Sequence, residues 1–423
     1  MKVPSFVVLS HYFLIIFFGE TNEIQYLCST KNIFINNMKT KILFLFLIFP
    51  CILCFQLNAQ GAPFYEVDGY MPVFFEKMKQ KLTFPMAYEN SGIGKFSKWR
   101  KKAREIVYNE MQILPDAPKS YDMEVLETEQ RDGYEARKIM FNVSEWSRVP
   151  AYLLVPEGEG PFPAILMLHD HGAHFTIGKE KMIRPFNVSK EVMEDAEKWT
   201  IACYDSIFVG DYFAKNGYVV LSVDAIFWGD RGRKEGPDYD IQQALASNFL
   251  QMGSSWGALI NIDDVRSAEF LASLPFVNGK KIASLGHSMG GYRSWMASAL
   301  SDVISVSVNI CWFATTEGLM VMKNNQNKGG SAFSMIIPGL RKYMDYAHVA
   351  SIACPKPSLF FNGKNDKLFP VESVEEGYKI LRKTWDSQNA GDKLVTKIWD
   401  EKHYYNKEMQ KETLEFLDKW LKQ

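Results

Sequence analysis

The chain has 423 residues, with 48 Lys and Arg against 49 Asp and Glu, so no surplus of charge steers it toward nucleic acid or an anionic membrane surface. A hydrophobic fraction of 47% with 14% aromatics is that of an ordinary soluble globular protein, ample for one large α/β domain or two smaller ones. Beyond the leader only Cys203, Cys311 and Cys354 remain, which excludes a disulfide framework and leaves at least one thiol free.

In chain order, Met38-Lys39-Thr40-Lys41 and the apolar run of residues 42–55 read as the basic and hydrophobic regions of an export signal, with Ala59 a small residue for the peptidase. The run is shorter than the roughly 20 apolar residues of a bilayer span, so stable membrane insertion of the mature chain is not expected. A second apolar run at residues 6–18 precedes it, and the expected true start is Met38, with a double-spanning anchor the alternative. Lipidation at Cys51 or Cys54 is disfavoured, because Pro50 and Leu53 stand where a small residue is wanted. Residues 1–59 are therefore expected to be leader and signal, and the protein periplasmic or secreted.

Residues 60–150 read as an accessory segment. Helical patterns at 71–80 and 94–114 end at the breaker Pro115-Asp116-Ala117-Pro118, and strands follow at 121–128, 134–143 and 151–155, the first two joined by the hairpin signal Asp132-Gly133. From 151 to 423 strands alternate with helices: strands at 163–169, 218–224, 281–286, 303–310, 358–362 and 394–399, helices at 203–216, 262–274 and 407–422. Apolar strands alternating with helices predict an α/β fold, a mostly parallel central sheet covered on both faces. Ligands of such sheets sit at the carboxyl ends of the strands.

One stretch carries the chemistry. Lys281-Ile282-Ala283-Ser284-Leu285-Gly286-His287-Ser288-Met289-Gly290-Gly291 reads as strand, sharp turn and helix, with Ser288 at the turn. A bare G-x-S-x-G arises by chance in roughly one chain in ten of this length, so the flanking strand and helix matter more than the pattern. A serine hydroxyl needs a base, and the base needs a group to hold its tautomer. His403, on the loop after the last strand, is the candidate base. Asp366, on the turn-rich loop after strand 358–362, is the candidate acid; its plain alternative is an Asx-turn residue, and Asp400 and Glu401 are rivals. The oxyanion donors would be the backbone N–H of Met289 and, from the loop after strand 163–169, that of His171. The same loop, His169-x-His171-x-x-His174, admits a rival reading as a metal cluster, although Ala173 stands where an H-x-H-x-D-H pattern wants Asp.

With these residues in view, the chain resembles the α/β-hydrolase superfamily, in its acetyl xylan esterase and dienelactone hydrolase-like branch. The resemblance spans about residues 61 to 423. It rests on His169-Asp170-His171-Gly172, on Asp224 and Gly229-Asp230-Arg231, on Asp263-x-x-Arg266, and on the elbow with Asp366 and His403 at the expected positions. Dienelactone hydrolases use a cysteine nucleophile, whereas this elbow carries Ser288, which favours ester hydrolysis. The resemblance implies an exported carboxylesterase that deacetylates carbohydrate esters without a cofactor, with Trp228 and Trp312 available to stack on sugar and residues 314–346 available as a cap. A serine peptidase, a metal-dependent hydrolase and a non-catalytic binding protein on the same scaffold are the alternatives.

Overall fold

The computed structural model describes residues 65–69, 71–321, 324–325 and 330–422. The leader and signal expected at 1–59 lie outside them. From Val67 onward the described residues form one compact unit.

Its frame is a nine-stranded sheet. The strands are β1 (Glu124–Arg131), β2 (Tyr134–Asn142), β3 (Arg148–Pro156), β4 (Phe162–Leu168), β5 (Val219–Val223), β6 (Val277–His287), β7 (Ile304–Ile310), β8 (Ser358–Gly363) and β9 (Leu394–Trp399). They lie in the order β1-β2-β3-β5-β4-β6-β7-β8-β9. From β5 to β9 every pairing is parallel, while β1, β2 and β3 add an antiparallel edge through β3 against β5. These three strands, read from the sequence as an antiparallel edge, pair onto the parallel strands in one sheet. The Asp132-Gly133 hairpin forms as its sequence predicts, Gly133 taking φ 85°.

β4 to β8 are apolar and buried nearly throughout because helices cover both faces. On one face pack α1 (Phe96–Met111), α5 (Trp256–Ser273), α6 (Met289–Leu300) and α8 (Val371–Ser387), around Trp99, Trp256, Trp295 and Trp385. On the other pack α2 (Lys190–Cys203), α3 (Val209–Lys215) and α9 (Lys407–Leu421), around Tyr204, Phe213, Tyr405 and Leu417. The remaining long helix, α4 (Gln242–Gln251), precedes α5. Among the described residues Cys203, Cys311 and Cys354 are free and buried. The sheet with its two helical layers is the α/β-hydrolase arrangement.

Three sequence expectations need correction. The helix expected at 203–216 is two helices, because Asp205 and Ser206 take φ of 53° and 62° and break it after Cys203. The helix expected at 262–274 begins earlier, at Trp256, where the Ser255 hydroxyl accepts the Ala258 N–H at 3.1 Å. The helical pattern at 71–80 yields only Phe75–Lys79, preceded by a two-residue strand at Met71–Pro72.

Candidate active site

The site starts from β6, the longest strand of the parallel half, which runs straight into α6 through Ser288. Ser288 takes φ 56° and ψ −126°, a conformation that costs a non-glycine residue of order 1–3 kcal/mol. Its N–H is held by the Ile310 carbonyl at 2.8 Å, and the side chain stays half-buried at the carboxyl end of the sheet. The turn is so tight that two neighbours can only be glycine. A Cβ on Gly286 would lie 2.3 Å from the Gly290 backbone, and one on Gly290 would lie 1.9 Å from the Leu168 carbonyl oxygen. The small positions of the motif thus bring the elbow against the end of β4.

That contact sets the loop of residues 169–181 beside the first turn of α6. A buried ion pair fixes the junction: Arg293 Nε and Nη2 donate to Asp264 on α5 at 2.9 and 2.7 Å, while Nη1 reaches the His169 carbonyl at 3.3 Å. Both side chains of the pair are 1% exposed. Planar bidentate pairing of this kind is why an arginine can be kept here.

The candidate acid and base come from the ends of the last two strands. The loops after β8 and β9 are stitched together by Lys364 N–H to Trp399 O and Asn365 N–H to Glu401 O, each at 2.8 Å. Across this stitch His403 Nδ1 meets Asp366 Oδ2 at 2.6 Å. The other Asp366 oxygen accepts the Leu368 N–H at 2.8 Å, so the residue is also the turn-former its plain alternative proposes. The rivals are engaged elsewhere: Asp400 accepts from Asn365 Nδ2 at 3.0 Å, and Glu401 from the Lys402 N–H. The His403 ring lies parallel to Phe369 and 4.8 Å from the ring of His287, the residue before Ser288. The structure therefore brings Ser288, His403 and Asp366 to one corner of the sheet.

A polar chain not anticipated from sequence supports that corner from beneath. His287 Nδ1 lies 3.3 Å from the Tyr204 hydroxyl, which donates to Asp170 Oδ2 at 2.5 Å; Trp199 Nε1 donates to the same oxygen at 2.8 Å. Burial would raise the Asp170 pKa, but the Lys181 charge, the His287 ring and these two donors hold it well below the usual carboxylate range. Burial, reinforced by the neighbouring His403 ring, lowers the His287 pKa to about 3, so its ring is neutral. Its Nε2 has no hydrogen-bond partner among the described residues. Buried polar residues inside apolar stretches, as Arg293 in α6 and Asp264 in α5, were the legible signal for these interactions, since such groups survive only when paired.

The three histidines of the 169–174 loop do not converge. His169 Nδ1 donates to the Asp170 carbonyl and its Nε2 accepts the Ala225 N–H. His171 has its two ring nitrogens on the Ala173 N–H and Gln242 Oε1, and burial lowers its pKa to about 4. His174 turns outward to Asp195 at 2.7 Å. Among the described residues two other trios have donor atoms within 4.8 Å of one another. One, His287, Cys311 and His403, belongs to the corner already described. The other, Glu180, Asp224 and Asp230, surrounds the Lys179 ammonium at 2.6–2.8 Å, so a cation of the chain itself already stands there. Trp228 is also not free for a sugar: it is fully buried, stacks on Trp256 and donates to the His171 carbonyl at 2.9 Å. Trp312 is buried as well, within an aromatic shell.

An elbow at the end of a central parallel strand, with a histidine–aspartate pair from the ends of the last two strands, defines the α/β-hydrolase class. Residues 62–408 match the Abhydrolase family, and the chain belongs to that family. It is 27% identical to YtaP of Bacillus subtilis (strain 168), which is named as a hydrolase, over 323 residues covering 76% of this chain and 100% of YtaP. Among solved structures it is similar to one named as an acetyl xylan esterase from Bacteroides fragilis NCTC 9343, with TM-score 0.57 and 18% identity over 72% of this chain and 75% of that one. It is likewise similar to a glucuronoyl esterase from Solibacter usitatus, with TM-score 0.54 and 15% identity over 76% of this chain and 92% of that one. At such identities the two structures speak for the fold.

Proposed function

We propose that the protein is an exported serine carboxylesterase of carbohydrate esters, working through an acyl-enzyme. The single observation that carries this reading is the 2.6 Å His403–Asp366 pair set beside the strained Ser288 elbow. Ser288 Oγ attacks the ester carbonyl carbon as His403 Nε2 takes its proton. Asp366 accepts the His403 Nδ1–H, which fixes the tautomer and stabilises the imidazolium. His403 then returns the proton to the departing alcohol oxygen as the C–O bond breaks. Water, deprotonated by His403, attacks the acyl-Ser288, and acid and free serine are released.

The oxyanion is held by the Met289 N–H at the start of α6 and by the His171 N–H. Support for the second donor comes from its peptide plane. The Asp170 carbonyl is tied inward to His169 Nδ1 at 2.8 Å and Lys181 Nζ at 3.3 Å, and a trans peptide points the His171 N–H the opposite way. Carbohydrate esters are proposed because the similar structures carry such esterase names. Export is proposed from the signal-like segment 38–59.

The deciding measurement is hydrolysis of a short-chain acyl ester with and without EDTA, beside Ser288→Ala and a matched amide substrate. Activity that survives EDTA, is absent in Ser288→Ala and prefers the ester supports the reading. Activity lost to EDTA but kept in Ser288→Ala would overturn it.

A further inference from the structure

Resting on the esterase reading for its location, a second feature of the same corner of the sheet concerns what the substrate carries. From His403 an aromatic wall runs outward: Phe369 lies parallel to its ring at 6.1 Å between centroids, Trp312 is 5.4 Å from Phe369, and Tyr346 is 5.0 Å from Trp312. Arg341 closes the row, its guanidinium carbon 3.3 Å from the Tyr346 ring centroid. Tyr346 also packs against Tyr292, one turn along α6 from Ser288, and Ser334 from the same capping segment reaches Met289 Sδ at 3.4 Å. Residues 334–346 thus lie over the amino end of α6.

Arg341 is unusual in what it lacks. Among the described residues it has neither a carboxylate within ion-pair distance nor a hydrogen-bond acceptor. Acids lie close by but serve other groups. Glu110 pairs with the adjacent Lys342 at 3.6 Å. Asp345 is spent on the Tyr346 N–H at 2.6 Å and on the Thr316 hydroxyl and N–H. Desolvation against the rings lowers the Arg341 pKa to about 10, so at neutral pH this half-buried side chain remains a cation. A guanidinium stacked face-on against a ring keeps its N–H groups in the plane, aimed at an acceptor beside the ring. A second donor in the wall is also unmet: Trp312 Nε1 is buried with no partner among the described residues. An unmet charged donor at the end of a row that leads to the base calls for an anionic, oxygen-rich group.

We propose that Arg341, at the far end of the aromatic row from His403, is an anion subsite, and that the ester this enzyme cleaves carries a second, ionised carboxylate that Arg341 grips while the ester carbonyl lies at Ser288. Arg341 is then a specificity residue, acting on the substrate's remote charge and on no proton or bond of the reaction.

The test compares matched esters that differ only in that charge. On the acyl side these are 4-nitrophenyl hydrogen glutarate and its neutral monoamide; on the alcohol side, 4-acetoxybenzoate and 4-acetoxybenzamide. In the full-length enzyme, kcat/KM favours the carboxylate member of at least one pair by on the order of tenfold to a hundredfold, the range of a charge-assisted hydrogen bond. In Arg341→Gln that ratio collapses toward one, and in Arg341→Lys it is partly restored. A ratio within one enzyme is insensitive to any loss of folded protein. Equal rates on both pairs in the wild type, or a preference that persists in Arg341→Gln, overturns the subsite. Glutarate binding to Ser288→Ala, with and without Arg341→Gln, separates this proposal from the esterase reading. Arg341-dependent binding by a protein that hydrolyses none of the esters would sustain the subsite and sink the esterase, whereas ester hydrolysis with no charge preference would do the reverse.

Discussion

Two histidine–carboxylate pairs of nearly equal length occupy this molecule. His403 meets Asp366 at 2.6 Å and His174 meets Asp195 at 2.7 Å. Their settings differ. The Asp366 carboxylate is fully buried behind a His403 ring that is 24% exposed, and both stand on loops stitched across two strand ends. In the other pair His174 is 45% exposed and Asp195 22%, one on an outward loop and one on the surface of α2, with Thr176 sharing the carboxylate at 2.6 Å. The pair itself therefore carries no chemistry. What sets the first pair apart is a desolvated acid, a ring packed against Phe369 and His287, and the Ser288 elbow next to His287.

The strongest way to break that comparison is Asp366→Asn, which keeps the shape and removes the charge. By analogy with other triads kcat/KM on a short-chain acyl ester should fall roughly 10⁴-fold, with the far-UV spectrum unchanged. Next in size is Asp264→Ala, which leaves Arg293 buried without its partner. Denaturant unfolding should show a loss of about 3–5 kcal/mol, and activity should fall in parallel with the misplaced elbow. A third test uses pH. His171 titrates near 6.5 when unfolded and at about 4 in the fold, so between these values the unfolded chain binds more protons. Its contribution is present in full above about pH 6.5 and is lost as pH falls toward 4, roughly 3 kcal/mol in all; His171→Gln should flatten the dependence of Tm on pH in that window. The smallest expected effect sharpens the comparison from the other side. Asp195→Asn should leave kcat/KM within about twofold and cost no more than about 1 kcal/mol of stability, as exposed pairs do.

The parallel core and the elbow were legible because each rests on local chemistry. Runs such as 304–310 and 394–399 are apolar or alternating over one strand length, and Gly286 and Gly290 betray a turn that admits no side chain. Asp366 and His403 could be found because each follows a strand whose end must open onto the same edge of the sheet. What sequence could not give was long-range partnership. Nothing local says that Tyr204 will carry His287 to Asp170, or that Arg293 will reach back to the His169 carbonyl, because those pairs are set by packing between distant elements. The same holds for the loop histidines. Their spacing suggests a metal, while the fold spends each ring on a separate neighbour. Trp228 failed as a sugar platform for a related reason: an aromatic at a strand end is as useful to the core as to a ligand.

The Asp264–Arg293 clamp has a consequence for how such an enzyme can change. Because it binds α5, α6 and the end of β4 into one piece, the placement of the Ser288 elbow and of the 169–181 loop beside it is set by the scaffold. Arg341, Lys342 and Tyr343 of the capping segment, half-buried or exposed, take no part in that clamp. Substitutions there can retune which ester is accepted while the hydrolytic machinery stays constant, so a library confined to that segment is where new substrate preferences would be selected.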